Sequence, residues 1–191
     1  MLKLIDLSKS YYGKKVVDNL TLEIPCTGFV AICGPSGCGK TTLLNLIAQL
    51  TKPDNGKIVF DIPKPIISMS FQEPRLLGGR TAAENVNLVL GDKKATLPQA
   101  EELLYELGIT DTDLYPNELS GGMKARVSIA RALAVNADLY LFDEPFANLD
   151  AETALLCAEV IKRKNEASLT VAVIHDTSLA ERIADKVIFL K

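Results

Sequence analysis

Residues Gly34 to Thr41 read GPSGCGKT, which satisfies G-x-x-x-x-G-K-[ST], the pattern of a loop built to hold phosphate. Glycines at 34, 37 and 39 let successive backbone N–H groups point into one concavity, and a helix that follows turns its positive N-terminus toward the same anion. Pro35, Ser36, Cys38 and Thr42 complete the stretch expected to face a nucleotide. Lys40 is placed to reach its β- and γ-phosphates, and the Thr41 hydroxyl to ligate Mg²⁺. A chance glycine-rich turn is the plain alternative. The flanks oppose it: an apolar run, Phe29 to Cys33, precedes the loop, and an amphipathic run, Thr42 to Leu50, follows with Leu43, Ile47 and Leu50 at helical spacing.

A second chemical element lies at Asp143 and Glu144. Asp138 to Phe142 reads DLYLF, a short apolar run suited to a buried parallel strand whose carboxylates emerge at its C-terminal edge. Ligands of doubly wound sheets bind at that edge, so Asp143 is expected in the Mg²⁺ shell. Glu144, one residue on, would face water and polarise it for attack on the γ-phosphorus. Alone, such a pair would merely cap a strand. A phosphate loop upstream favours the catalytic reading.

The third element is LSGGM at Leu119 to Met123, ahead of the strongly helical run Met123 to Ala134. Ser120 reads as an N-cap, and Gly121 and Gly122 allow a phosphate to approach the backbone at a helix N-terminus. One nucleotide has no need of two such surfaces from one chain. Ser120 is therefore expected to serve a nucleotide held by a second copy.

The elements that must position these residues are legible in outline. Strands are expected at Lys3 to Leu7, Leu20 to Ile24 and Lys57 to Phe60, with turn residues at Pro53 to Gly56, forming a small antiparallel sheet. Apolar runs at Ile66 to Phe71 and Leu169 to Ile174 suggest further strands of the parallel sheet. Between them, Thr81 to Leu90, Leu97 to Gly108 and Gly121 to Val135 read as helices. The expected organisation is one α/β domain. Residues 1–72 and 136–191 form the nucleotide-binding core with its antiparallel β-subdomain, and residues 73–135 form an inserted helical subdomain carrying LSGGM.

Taken in order, these motifs resemble those of the nucleotide-binding subunits of ATP-binding cassette (ABC) transporters, along nearly the whole chain. GPSGCGKT resembles Walker A, LYLFDEP at Leu139 to Pro145 Walker B, and LSGGM the family signature. Gln72 in SFQEP resembles the Q-loop glutamine, NLD at Asn148 to Asp150 the D-loop, and His175 in VIHD the switch histidine. Tyr11, a few residues before a strand, resembles the aromatic that stacks on adenine, although Tyr12 adjoins it. The resemblance implies a RecA-like P-loop NTPase fold, and ATP with Mg²⁺ as cofactors. It also implies two subunits sandwiching two ATP molecules, each site combining one chain's Walker motifs with the other chain's signature, and it puts Asp150 among the nucleotide-binding residues. His175, the sole histidine, ends an apolar run where it can donate to a γ-phosphate oxygen. The Gln72 amide would touch Mg²⁺ or the water, and its place at a junction makes it a candidate hinge.

Composition bounds the rest. With 191 residues, 48% of them apolar, the chain supports one packed domain. A net charge of −3 and no basic stripe argue against a nucleic-acid partner. No apolar stretch reaches the roughly 18 residues that span a bilayer, and no signal-peptide pattern opens the chain, so a cytoplasmic protein is expected, meeting the membrane through permease subunits. Cys26, Cys33, Cys38 and Cys157 lack metal-ligand spacing. Met123, where glutamine is most usual, and EPRLL after Gln72 resemble importers of nitrate, sulfonates and taurine, which work with a solute-binding protein. Where that subgroup often has Pro-Trp, this chain has Gly78 and Gly79. Two other classes stay open: a soluble ABC ATPase, and a P-loop phosphotransferase, which would have no use for LSGGM.

Overall fold

Five short apolar runs pair side by side as the sheet on which the molecule is built. In the computed structural model, which describes residues 2–190, they are β3 (Gly28–Cys33), β5 (Ile67–Ser70), β6 (Leu139–Asp143), β7 (Leu169–Val173) and β8 (Lys186–Phe189). Their order is β5-β6-β7-β3-β8, and every adjacent pair is parallel. Successive side chains of a strand point to opposite faces, so each run feeds two cores. Val30, Ile32, Leu139, Leu141, Val171 and Val173 pack on one face with Leu43, Leu44 and Ile47 of α1 (Lys40–Ile47). Phe29, Ala31, Tyr140, Phe142 and Ala172 pack on the other, against helices. Burial on both faces is why β3, β6 and β7 read as nearly continuous apolar runs rather than alternating ones.

A second, antiparallel sheet, in the order β2-β1-β4, joins β1 (Leu2–Tyr11), β2 (Lys14–Ile24) and β4 (Asn55–Phe60). Two of its strands are about twice the expected length. Their outer residues, Ser8 to Ser10 and Lys14 to Lys15, are polar and leave no hydrophobic signal, while bulges with positive φ at Asp6 and Asn19 interrupt the alternation. Tyr11 is thus the last residue of β1, three residues ahead of β2. Tyr12 and Gly13, both at positive φ, make the two-residue hairpin turn.

From β5 to β6 the described chain forms only helices, turns and irregular segments. These are α2 (Ala82–Asn87) with the 3₁₀ turn Leu88–Leu90, a further turn at Lys94–Thr96, α3 (Leu97–Glu106) and α4 (Gly121–Leu133). The helix expected over Thr81 to Leu90 begins on a full capping box, with Thr81 accepting from the Glu84 amide and Glu84 from that of Thr81. Helices α5 (Ala151–Lys164) and α6 (Thr177–Ile183) complete the helical face. Buried Asn85 orders the loop before α2: its Oδ1 accepts from Leu77 N, and its Nδ2 donates to the carbonyls of Leu77, Arg80 and Thr81. None of the described helices is long and apolar enough to cross a membrane.

Ile32 sits in β3, between β7 and β8, fully buried. Ile32→Ala should lower unfolding free energy by about 2–5 kcal/mol in urea titrations. Leu50→Ala, 59% exposed just past α1, should change it by less than about 0.5 kcal/mol. Equal losses would place the main core elsewhere.

Candidate functional site

The parallel register brings the chemical residues to one edge. Phe142 pairs with Ser70 and Asp143 with Val173, so Gln72, Glu144 and His175 leave the C-terminal ends of β5, β6 and β7 at nearly one level. Beside them β3 ends in the phosphate loop. Gly39, at φ 96°, is the N-cap of α1, and a Cβ there would stand 2.6 Å from the Val16 carbonyl oxygen. Only glycine lets the loop pass so close to β2. Lys40 is 5% exposed, and its Nζ donates to the carbonyls of Gly34 (2.8 Å) and Pro35 (2.9 Å), pulling the two ends of the loop together.

Glu144 is the focus of the site. Its Oε2 accepts from Gln72 Nε2 at 3.1 Å, and its Oε1 lies 2.6 Å from His175 Nε2. A carboxylate oxygen accepts, so the imidazole tautomer with its proton on Nε2 makes that bond. Glu144 has φ 52°, rare for a side chain this large, and its amide donates to Val173 O. The ladder holds the strand end while the left-handed turn aims the carboxylate toward the loop, a local cost typical of working sites. Ser36, Gly37, Gly39, Lys40, Thr41, Thr42, Gln72, Glu144 and His175 line one open cavity of about 420 Å³. Val16 lines it too, and nothing in the sequence singles that residue out.

Asp143 is 2% exposed and accepts from the Thr41 hydroxyl at 3.2 Å. Burial pushes its carboxyl above the ordinary range. The Glu144 charge adds to this, while the Thr41 hydrogen bond, Lys40 and His175 oppose it. A buried carboxylate beside a hydroxyl is the hard-oxygen donor set of a divalent cation. Among the described residues no trio of His, Cys, Asp or Glu could hold a metal unaided, which suits an ion that completes its shell with phosphate oxygens and water.

The remaining expected residues lie outside this cavity's lining. Ser120 caps α4, its hydroxyl accepting from Met123 N at 3.2 Å. Gly122 lies against the segment after Glu144: a Cβ on it would stand 2.9 Å from Asn148 O and 3.2 Å from Leu149 Cδ2. Gly121 is exposed beside it. Asp150 caps α5, accepting from the Thr153 amide and hydroxyl, bonds that hold its carboxyl below the usual range. Ser120, Gly121, Gly122 and Asp150 therefore belong to neighbouring helix starts. Tyr11, 40% exposed, stacks under Lys9 Nζ at 5.5 Å.

Fold and site together define a P-loop ATPase of the cassette type, and the chain belongs to the ABC transporter family, whose profile matches residues 17–147. It is 38% identical to the arginine transport ATP-binding protein ArtM of Bacillus subtilis, over all of this chain and 87% of that one. The aliphatic sulfonates import ATP-binding protein SsuB of Rhodopseudomonas palustris is 40% identical, over all of this chain and 70% of the relative. Among solved structures, a dimeric ATP-binding cassette in a post-hydrolysis state with ADP and Pi superposes with a TM-score of 0.90. It is 33% identical, over all of this chain and 94% of that one.

Because the folded pKa of Asp143 is raised, its stability contribution is complete below the unfolded value of 3.8 and is lost as pH rises through the folded value. Asp143→Asn should therefore raise the melting temperature of the nucleotide-free protein at neutral pH. That gain should shrink as pH falls toward 3.8. A melting temperature lowered at neutral pH would mean that the carboxylate is not an uncompensated charge.

Proposed function

We propose that this chain is the ATP-hydrolysing subunit of an importer, and that it works as one of a pair sandwiching two ATP molecules. The observation that carries the reading is the Glu144 carboxylate, bracketed by Gln72 and His175 at the mouth of the phosphate loop. In this reading the loop amides and Lys40 hold the β- and γ-phosphates. Thr41 and Asp143 would hold Mg²⁺ with Gln72 beside them, and the ion would supply positive charge to offset that building on the phosphate oxygens. Glu144 accepts a proton from water as it attacks, and His175 steadies the γ-phosphate.

The helix N-termini support the pairing. The first turns of α1 and α4 carry no acidic residue, whereas α5 opens on Asp150 and Glu152. An acid-free helix start keeps its partial positive charge for an external anion. The phosphate loop uses that of α1. The α4 start, with Ser120, Gly121 and Gly122, stands off the cavity and is assigned to the γ-phosphate of a second copy, with Asp150 at the same face. Tyr11 is assigned to the adenine.

Import is supported by relatives named for arginine, for aliphatic sulfonates and for L-cystine, at 37–40% identity. Small charged organic solutes span those names. The chain would sit at the cytoplasmic face of the membrane through permease subunits, fed by a solute-binding protein, with residues 73–135 moving as a helical unit against the core.

Glu144→Gln should leave ATP affinity within about twofold and lower turnover by at least about a hundredfold. It should also convert the protein to dimers in ATP, seen by light scattering after size exclusion. A variant that binds ATP, fails to hydrolyse it and stays monomeric at high concentration would contradict the pairing.

A further inference from the structure

Arg131, in the last turn of α4, has no part in the motifs, yet it grips the segment that carries Gln72. Its Nη2 donates to Pro74 O at 2.7 Å and its Nη1 to Arg75 O at 3.1 Å. Three residues before Arg131 on α4, Ser128 Oγ lies 2.9 Å from Ser70 Oγ, and the carbonyl of the adjacent Ala132 accepts from Ser68 Oγ at 2.8 Å. Gln72 thus hangs between two grips of one helix, one on β5 before it and one on the carbonyls after it. The intervening loop also closes on itself, with the Arg75 guanidinium 4.2 Å from the Phe71 ring centre and Arg75 at φ 48°. We propose that Arg131 is a positioning residue that ties Gln72 to α4, so that the helix carrying Ser120 at its start sets where the Gln72 amide stands against Glu144.

The chemistry calls for arginine. Two successive carbonyls diverge, and a planar guanidinium offers donors in a fixed fork that reaches both, whereas an ammonium is a single point on a flexible stem. Burial alone lowers the guanidinium's pKa, a cost offset by the carbonyls it holds. With the fork removed, residues 74 and 75 return their carbonyls to water, and Gln72 is held on the β5 side only. Motion of α4 would then pass to Gln72 only by way of β5. Among the described residues no hydrogen bond joins Arg131 or Ser128 to the phosphate loop, so nucleotide affinity should change little.

The kinetic part of the test rests on the ATPase reading above. In the full chain, Arg131→Met should lower kcat for ATP about tenfold with KM within about twofold, and Arg131→Lys should fall between it and the parent. In a Gln72→Ala background, Arg131→Met should cost nothing further, because the residue acts through Gln72. Independent, multiplying losses in the double variant would overturn the proposal. Amide hydrogen exchange supplies a reading that needs no hydrolysis. Arg131→Met should speed exchange across residues 71–77 and leave the middle of α4 unchanged. Equal acceleration along α4 would make Arg131 a general stabiliser of that helix and overturn the proposal as well. A parent chain that turned over no ATP would count against the ATPase reading, while the exchange pattern would still decide the tie.

Discussion

The parallel register of β5, β6, β7 and β3 is the constraint on which the site depends. A parallel ladder fixes which residues are level, and here Ser70 is level with Phe142, Asp143 with Val173, and Val173 with Ile32. Two residues past the first pair come Gln72 and Glu144, and close beyond the others come His175 and the phosphate loop. A slip of one residue in any pair would turn that strand's side chains to the wrong core and carry its terminal residue away from the cavity. The two-faced packing that excludes the slip is thus also what assembles the chemistry. The apolar interior and the polar site are specified by the same pairing.

Within this frame, charge is managed by where it is left unpaired. Asp143 is buried beside a hydroxyl, and its burial outweighs the opposing influence of Lys40, which leaves it suited to a cation. The starts of α1 and α4 lack acids and suit anions, while α2 and α5 neutralise their own starts with Glu84 and Asp150. Glycine serves this arrangement at two close approaches: Gly39 lets α1 begin against β2, and Gly122 lets α4 begin against Asn148. Side chains there would push the starts of α1 and α4 off their supports.

Local chemistry was legible in the sequence, and contacts across the chain were not. GPSGCGKT, DLYLFDE and LSGGM each fold as read because strand, turn and cap are decided within a few residues. The short buried strands were legible because burial on both faces demands unbroken apolar runs. By contrast, β1 and β2 were read at half their length, since solvent-facing Ser, Lys and Asn there carry no periodic signal. β8 and the role of Val16 escaped notice, being matters of which strand lies next to which. Arg131 was invisible for a related reason: it bonds to backbone carbonyls, which every residue possesses, so no partner residue type announces the contact.

The central claim is that each catalytic centre takes its phosphate loop from one chain and Ser120 from another. Mixing two defective chains tests it: Lys40→Ala, which spoils the loop and keeps Ser120, and Ser120→Arg, which spoils the helix start and keeps the loop. Each alone should be nearly silent in ATP hydrolysis. An equimolar mixture should recover a substantial fraction of the parent rate, because the mixed pair holds one complete centre. A mixture no more active than the sum of its parts, at concentrations where the parent chain turns over ATP, would contradict a site shared between chains.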